Sequence, residues 1–152
     1  MGLHIALVDN DPTDCMLTTE AIMEVAPDCT VDLYTSGEDA LSRLGLTPIL
    51  PDLVLLDLNM PNLSGLEVLR RLKEDSRLGL VPVVIFTSSK SDRDVHTAYA
   101  LHASAYLVKA PGFTALLHQV EGLTGYWRFN SRPSHLEASE AGPHTPPSIP
   151  PP

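Results

Sequence analysis

Two short runs in this chain are apolar at every position: Leu53, Val54, Leu55 and Leu56, and then Val83, Val84, Ile85 and Phe86. A strand with one wet face alternates apolar and polar residues, so a strand without alternation must be covered on both faces. Interior strands of a parallel sheet meet that condition, with helices packed above and below them. The rest of the chain agrees with such a sheet. Further β-prone runs at residues 3–8, 30–34 and 105–108 alternate with amphipathic stretches, divided by breaks rich in Gly, Pro, Asp or Ser.

The stretches between the runs have helical periodicity. Residues 12–25 place Leu17, Ala21 and Val25 on one face, with Pro12 tolerable only in the first turn. Ser36 is a capping residue for a helix from 37 to about 44, and Leu66, Val68, Leu69 and Leu72 give the third helix its stripe. A fourth helix runs from 91 to about 101. The fifth has the best periodicity, through Phe113, Leu116, Leu117, Val120, Leu123 and Trp127. The expected class is α/β: a doubly wound five-stranded parallel sheet flanked by five helices, forming one domain over residues 1–130. Residues 131–152 hold seven prolines and little that could enter a core. An unstructured tail and an extended partner-binding segment are the two readings of that end.

Composition narrows the functional classes. A chain of 152 residues at 43% hydrophobic can fill one core without metals or disulfide staples. No stretch approaches the roughly 20 apolar residues of a membrane span, and no basic leader precedes the first strand. Cys15 and Cys29 are too few for a disulfide framework and are expected to be free thiols in a reducing cytosol. The net charge of -9 argues against a nucleic-acid surface, which needs clustered Lys and Arg. The six histidines show no ligand spacing. A soluble cytoplasmic protein is expected, with no membrane and no nucleic-acid partner.

In a parallel α/β sheet, functional groups gather at the carboxyl ends of the strands. Asp9, Asn10 and Asp11 follow the first strand, Asp57 the third, Thr87 and Ser88 the fourth, and Lys109 the fifth. Carboxylate and amide oxygens of this kind suit a hard cation such as Mg²⁺. A lysine and a hydroxyl beside them supply what a phosphoryl group needs for charge neutralisation and hydrogen bonding. Each residue also has a plainer reading: Asp57 and Asp9 as capping carboxylates, Asp11 and Asp14 as favourable charges at a helix N-terminus, and Tyr106 as core packing.

Four segments resemble the receiver domains of response regulators: LVDNDPTD (7–14), DLVLLDLNMPNLSGLEVLRRLK (52–73), VPVVIFTSS (81–89) and SAYLVKAPGF (104–113). The most specific is the second, where Asp57 is followed by Met60, Pro61 and Gly65. The resemblance implies a flavodoxin-like, CheY-like fold and a stand-alone response regulator that takes a phosphoryl group from a histidine kinase. It assigns Asp57 as phosphoacceptor, and Asp9, Asn10, Asp57 and the main-chain carbonyl of Asn59 as Mg²⁺ ligands. Thr87 and Lys109 would hold phosphoryl oxygens, and Thr87 with Tyr106 would form the switch. The KAPG sequence after the fifth strand is similar to receivers that serve phytochrome kinases. The family also implies a homodimer face on the fourth and fifth helices around Val95, Tyr99 and His102, against which plain surface packing stands as the alternative.

One departure bears on the metal. The second member of the acidic pair is Asn10, which offers an oxygen but no charge. The expectation is that Asp9 and Asp11 flank the cation while Asn10 ligates through its side-chain oxygen. Three other functions compete. A phosphohydrolase of the haloacid dehalogenase type would need a carboxylate at position 59, where this chain has asparagine. A flavin binder would need a Ser/Thr/Gly-rich loop after the first strand. A pseudo-receiver would bind partners without taking phosphate.

Overall fold

Alternate residues of each interior strand go to opposite faces of the sheet, and each face finds an apolar partner layer. The computed structural model describes residues 2–129, so the readings of the proline-rich tail lie outside the described residues. The strands are β1 (His4–Val8), β2 (Thr30–Tyr34), β3 (Leu53–Leu56), β4 (Val83–Thr87) and β5 (Ala105–Val108), all parallel, in the order β2-β1-β3-β4-β5. The helices are α1 (Pro12–Val25), α2 (Gly37–Leu46), α3 (Gly65–Glu74), α4 (Asp92–Ala100) and α5 (Phe113–Arg128). A 3₁₀ turn at Leu78–Leu80, which the sequence pattern does not announce, leads into β4.

Ile5, Leu7, Leu53, Leu55, Val84, Phe86 and Ala105 pack against α1 and α5, while Ala6, Val8, Val54, Leu56, Val83, Ile85 and Tyr106 pack against α2, α3 and α4. The doubly wound five-stranded parallel sheet is therefore as expected. Burial of each large aliphatic side chain in these layers contributes about 1.5–3 kcal/mol. Ser36, Ser64 and Ser91 cap α2, α3 and α4 by accepting N–H bonds from Asp39, Glu67 and Asp94, each worth about 1 kcal/mol.

The inward face of α1 differs from the expected one. Cys15, Thr18, Ala21 and Ile22 are its buried residues, whereas Leu17 and Val25 lie on the flank. Apolar residues at i, i+4 and i+8 drift around the helix, and the small Cys15 and Thr18 allow α1 to sit close to its neighbours. Phe113 is likewise among the more exposed apolar residues, because it opens the first turn of α5 beyond the edge of the sheet. Val95 and Tyr99 pack partly against the α2–α4 layer, which leaves less apolar surface for a dimer face than the sequence alone offers. Both cysteines are free and buried. Among the described residues, no helix is long and apolar enough to cross a membrane.

Candidate functional site

Strand order reverses between β1 and β3, and the crevice outside that switch point is where open α/β sheets place their chemistry. Asp9 and Asp57 flank it. Each is one residue past its strand and fixed through its own main chain: the Asp9 N–H donates to the Tyr34 carbonyl at 3.0 Å and the Asp57 N–H to the Val8 carbonyl at 2.9 Å. Both side chains are buried, Asp9 at 1% and Asp57 at 6% exposure.

Their surroundings diverge. Asp9 Oδ1 accepts the Asp11 N–H at 2.9 Å, and Oδ2 accepts from Lys109 Nζ at 2.8 Å. Asp57 Oδ1 is fully buried and has no hydrogen-bond partner. Burial pushes the Asp9 carboxyl above the usual carboxylate range, and the Lys109 ammonium and the Asp11 N–H offset that only in part. Burial alone would lower Lys109, yet the hydrogen bonds it donates to Asp9 and Asp14, with the charges of Asp9 and nearby Asp57, raise it above the ordinary lysine value.

Lys109 is placed by three contacts that the sequence did not reveal. Its N–H donates to the Thr87 carbonyl at 2.8 Å, which ties the loop after β5 to the end of β4. Gln119 on α5 clamps the chain on both sides of it: Gln119 Nε2 donates to the Val108 carbonyl at 2.7 Å and Oε1 accepts the Ala110 N–H at 2.9 Å. The third contact is Asp14, whose Oδ2 accepts from Lys109 Nζ at 3.0 Å. Asp14 does lie in the first turn of α1, as its plainer reading requires, but it also joins the site. Asp11 is the N-cap of α1, its Oδ1 accepting the Asp14 N–H at 3.0 Å. That use of Asp11 favours its capping role over the expected flanking of a cation.

Thr87 is wholly buried at the end of β4, and its hydroxyl oxygen accepts from Asn59 Nδ2 at 3.4 Å and from the Ser89 N–H at 3.3 Å. Tyr106 is also wholly buried, its ring in the α2–α4 core and its hydroxyl donating to the Ser89 carbonyl at 2.9 Å. The Ser89 hydroxyl in turn donates to Asp94 on α4 at 2.6 Å. Thr87 and Tyr106 thus meet through one loop residue, Ser89, which sequence reasoning missed. Asn10 is half-buried and lines a groove of about 400 Å³ with Met16 and Leu33 on the α1 and β2 flank.

Whether these residues fit a cation is decided by charge and by open oxygen. The carboxylates of Asp9 and Asp14 contact one ammonium, on which the Asp57 charge also acts, so negative charge outnumbers positive at this end of the sheet. Asp57 Oδ1 is an oxygen without a donor. Among the described residues no three His, Cys, Asp or Glu side chains form a metal cluster by themselves, so a cation here needs amide or main-chain oxygens as well. Mg²⁺, with its preference for oxygen and for a few protein ligands plus waters, fits that donor set.

The family model for the response regulator receiver domain matches residues 5–121. The probable methanogenesis regulatory protein FilR2 of Methanothrix harundinacea is 36% identical over 127 residues, 81% of this chain and 82% of that protein. Response regulator Rcp1 of Synechocystis sp. is 32% identical over 128 residues, 81% and 87% of the two chains. The crystal structure of the phosphorylated cyanobacterial phytochrome response regulator RcpA superposes with a TM-score of 0.82 at 30% identity, covering 88% of this chain and 99% of that one. The Mn²⁺-bound form of Rcp1 gives a TM-score of 0.78 at 31% identity, with 86% and 99% covered.

Proposed function

Because the chain belongs to the response regulator receiver domain family, we propose that Asp57 accepts a phosphoryl group from the phosphohistidine of a histidine kinase in a Mg²⁺-dependent reaction. The observation that carries this reading is the buried Asp57 Oδ1 that no donor occupies, beside a lysine already drawn into the site. An Asp57 oxygen attacks phosphorus, the P–N bond to the donor imidazole breaks, and the imidazole leaves with that electron pair. Lys109 and the Thr87 hydroxyl then pair with phosphoryl oxygens. Asp9, Asp57, the Asn10 side-chain oxygen and the Asn59 carbonyl would hold Mg²⁺, which when bound neutralises charge on the transferring group. Two relatives support the assignment: RcpA in a phosphorylated form and Rcp1 with Mn²⁺ bound. RcpA is a phytochrome response regulator, and a phytochrome-type kinase is the donor class we assign here.

Output would pass through protein contacts. When Thr87 turns to the phosphoryl group it gives up its bonds to Asn59 and to the Ser89 N–H, and Ser89 also holds the Tyr106 hydroxyl and Asp94 of α4. That loop is a two-state element that phosphate can bias. A homodimer through α4 and α5, in the cytoplasm, belongs to the same reading. The test is incubation with acetyl phosphate and Mg²⁺ followed by intact mass measurement. Wild type should gain one phosphate, Asp57→Asn none, and chelation of Mg²⁺ should suppress the adduct. Absence of an adduct in wild type overturns the proposal.

A further inference from the structure

The Asp57 charge acts on Lys109 and Asp57 Oδ1 has no donor, yet the second side-chain hydrogen bond of Lys109 goes to Asp14. The two carboxylates that hold the ammonium are unequal. The Asp9 side chain is 2% exposed, whereas that of Asp14 is 41% exposed. Asp14 lines a cavity of about 140 Å³ with Lys109, Leu17, Thr18 and Phe113, between α1 and the loop into α5. Water reaches the Asp14 pair and not the Asp9 pair, so the Asp14 bond is the cheaper one to break.

We propose that Asp14 is a positioning residue that draws Lys109 away from Asp57 and thereby sets how readily the phosphorylated state forms. The inference rests on the reading of Asp57 as phosphoacceptor. Asp14 is well suited to the part, because its main chain is fixed by the N-cap bond to Asp11 while its carboxylate reaches across to the loop after β5. The ammonium keeps a third N–H, but its bonds to Asp9 and Asp14 fix where it sits, so an anion on Asp57 draws it against the Asp14 bond, with Asp9 retained as the fixed anchor. Removing the Asp14 charge relieves that competition, so the phosphorylated state is favoured. A half-exposed ion pair corresponds to an effect of about threefold.

The test is titration with trifluoroberyllate and Mg²⁺, a mimic of the aspartyl phosphate, on the full chain. Asp14→Asn should bind about threefold more tightly than wild type, and Asp14→Glu should return to the wild-type value by restoring the carboxylate. The ¹³Cε resonance of Lys109 without trifluoroberyllate should move in Asp14→Asn and stay in place in Asp14→Glu, which a merely structural role would not produce. Equal or weaker binding by Asp14→Asn, with wild type binding normally, overturns the inference alone. Wild-type binding that survives Asp57→Asn overturns the phosphoacceptor reading instead, and the inference with it.

Discussion

The ends of β1 and β3 lie side by side and each presents a buried aspartate, yet they are built to opposite specifications. At the β1 end every Asp9 oxygen has a donor, one from the backbone and one from Lys109. At the β3 end Asp57 Oδ1 is buried with none. A buried polar atom without a partner costs about 1–3 kcal/mol, so the fold tolerates an unmet oxygen on Asp57 and satisfies both oxygens of Asp9. The difference teaches how the two ends divide the work of holding charge: the β1 end is a fixed electrostatic frame, and the β3 end carries a buried oxygen that no protein donor satisfies.

The largest effect should come from removing the cation of the frame. In metal-free buffer at neutral pH, Lys109→Met leaves Asp9 buried without its ammonium, and chemical denaturation should show a loss of about 3–5 kcal/mol. The pH dependence gives a second check. The folded-state pKa of Asp9 is already raised by burial, and loss of Lys109 raises it further. A carboxyl whose folded pKa is raised contributes its stability below the unfolded value of 3.8 and loses it as pH rises through the folded value. The gap between variant and wild type should therefore be narrow near pH 4 and wide at pH 7. In wild type the raised Lys109 pKa works on the alkaline side, its contribution being complete below the ordinary 10.5 and lost as pH climbs through the folded value. A gap that does not change with pH would mean that Asp9 is not the group Lys109 protects.

Next in size is a change at the β3 end. Gly65 opens α3 so close to Asp57 that an added Cβ would sit 2.1 Å from the Asp57 carbonyl oxygen and 2.6 Å from Leu58 Cα. Those are backbone atoms and cannot swing aside, so Gly65→Ala should cost about 3 kcal/mol. It should also reduce phosphate uptake on Asp57, measured by intact mass, while leaving the Lys109 resonance in place. A tenfold effect separates the two ends through the metal: Asn10→Asp adds charge beside a frame whose own carboxylate is already satisfied, so the gain should appear as Mg²⁺ affinity tighter by about tenfold. Unchanged affinity in a calorimetric titration would remove Asn10 from the ligand set.

The sheet was legible in the sequence because uniform apolar runs admit one burial state, and Leu53 to Leu56 are buried at every position as that logic requires. The convergence of Asp9, Asp57, Thr87 and Lys109 was legible for the same reason, since parallel strands bring their ends to one edge. What could not be read were contacts that depend on how helices lie across the sheet. The bond from Lys109 to Asp14 spans 95 residues, and the face of α1 that turns inward carries Cys15, Thr18, Ala21 and Ile22, with Leu17 and Val25 of the expected stripe left on the flank. Gln119 escaped notice because a glutamine on an amphipathic helix carries no signal until its amide is seen spanning Val108 and Ala110. Ser89 is one small polar residue in a loop, and its bonds to Thr87, Asp94 and Tyr106 give it a role.

The smallest expected effect tests whether the open end and the fixed end are independent. Tyr106→Phe keeps the ring in the core and removes the hydroxyl that donates to the Ser89 carbonyl at 2.9 Å, a loss of about 1 kcal/mol. The bond lies on the β4 and β5 side, where Ser89 also meets Thr87 and Asp94, and neither of its two groups bonds to Asp9 or to Lys109, whose side-chain ion pair lies beyond Thr87. Combined with Lys109→Met, which keeps the main-chain bond to Thr87 and removes only the side-chain ion pair, its cost should add to within about 0.5 kcal/mol. Phosphate uptake by Tyr106→Phe alone should stay within about twofold of wild type, because the hydroxyl touches neither Asp57 nor Lys109 and a lost neutral hydrogen bond elsewhere acts mainly on stability. A coupling beyond 1 kcal/mol in the double variant would mean that the frame and the Ser89 loop move as one body. The division between the ends of β1 and β3 would then be a feature of hydrogen bonding alone and not of mechanics.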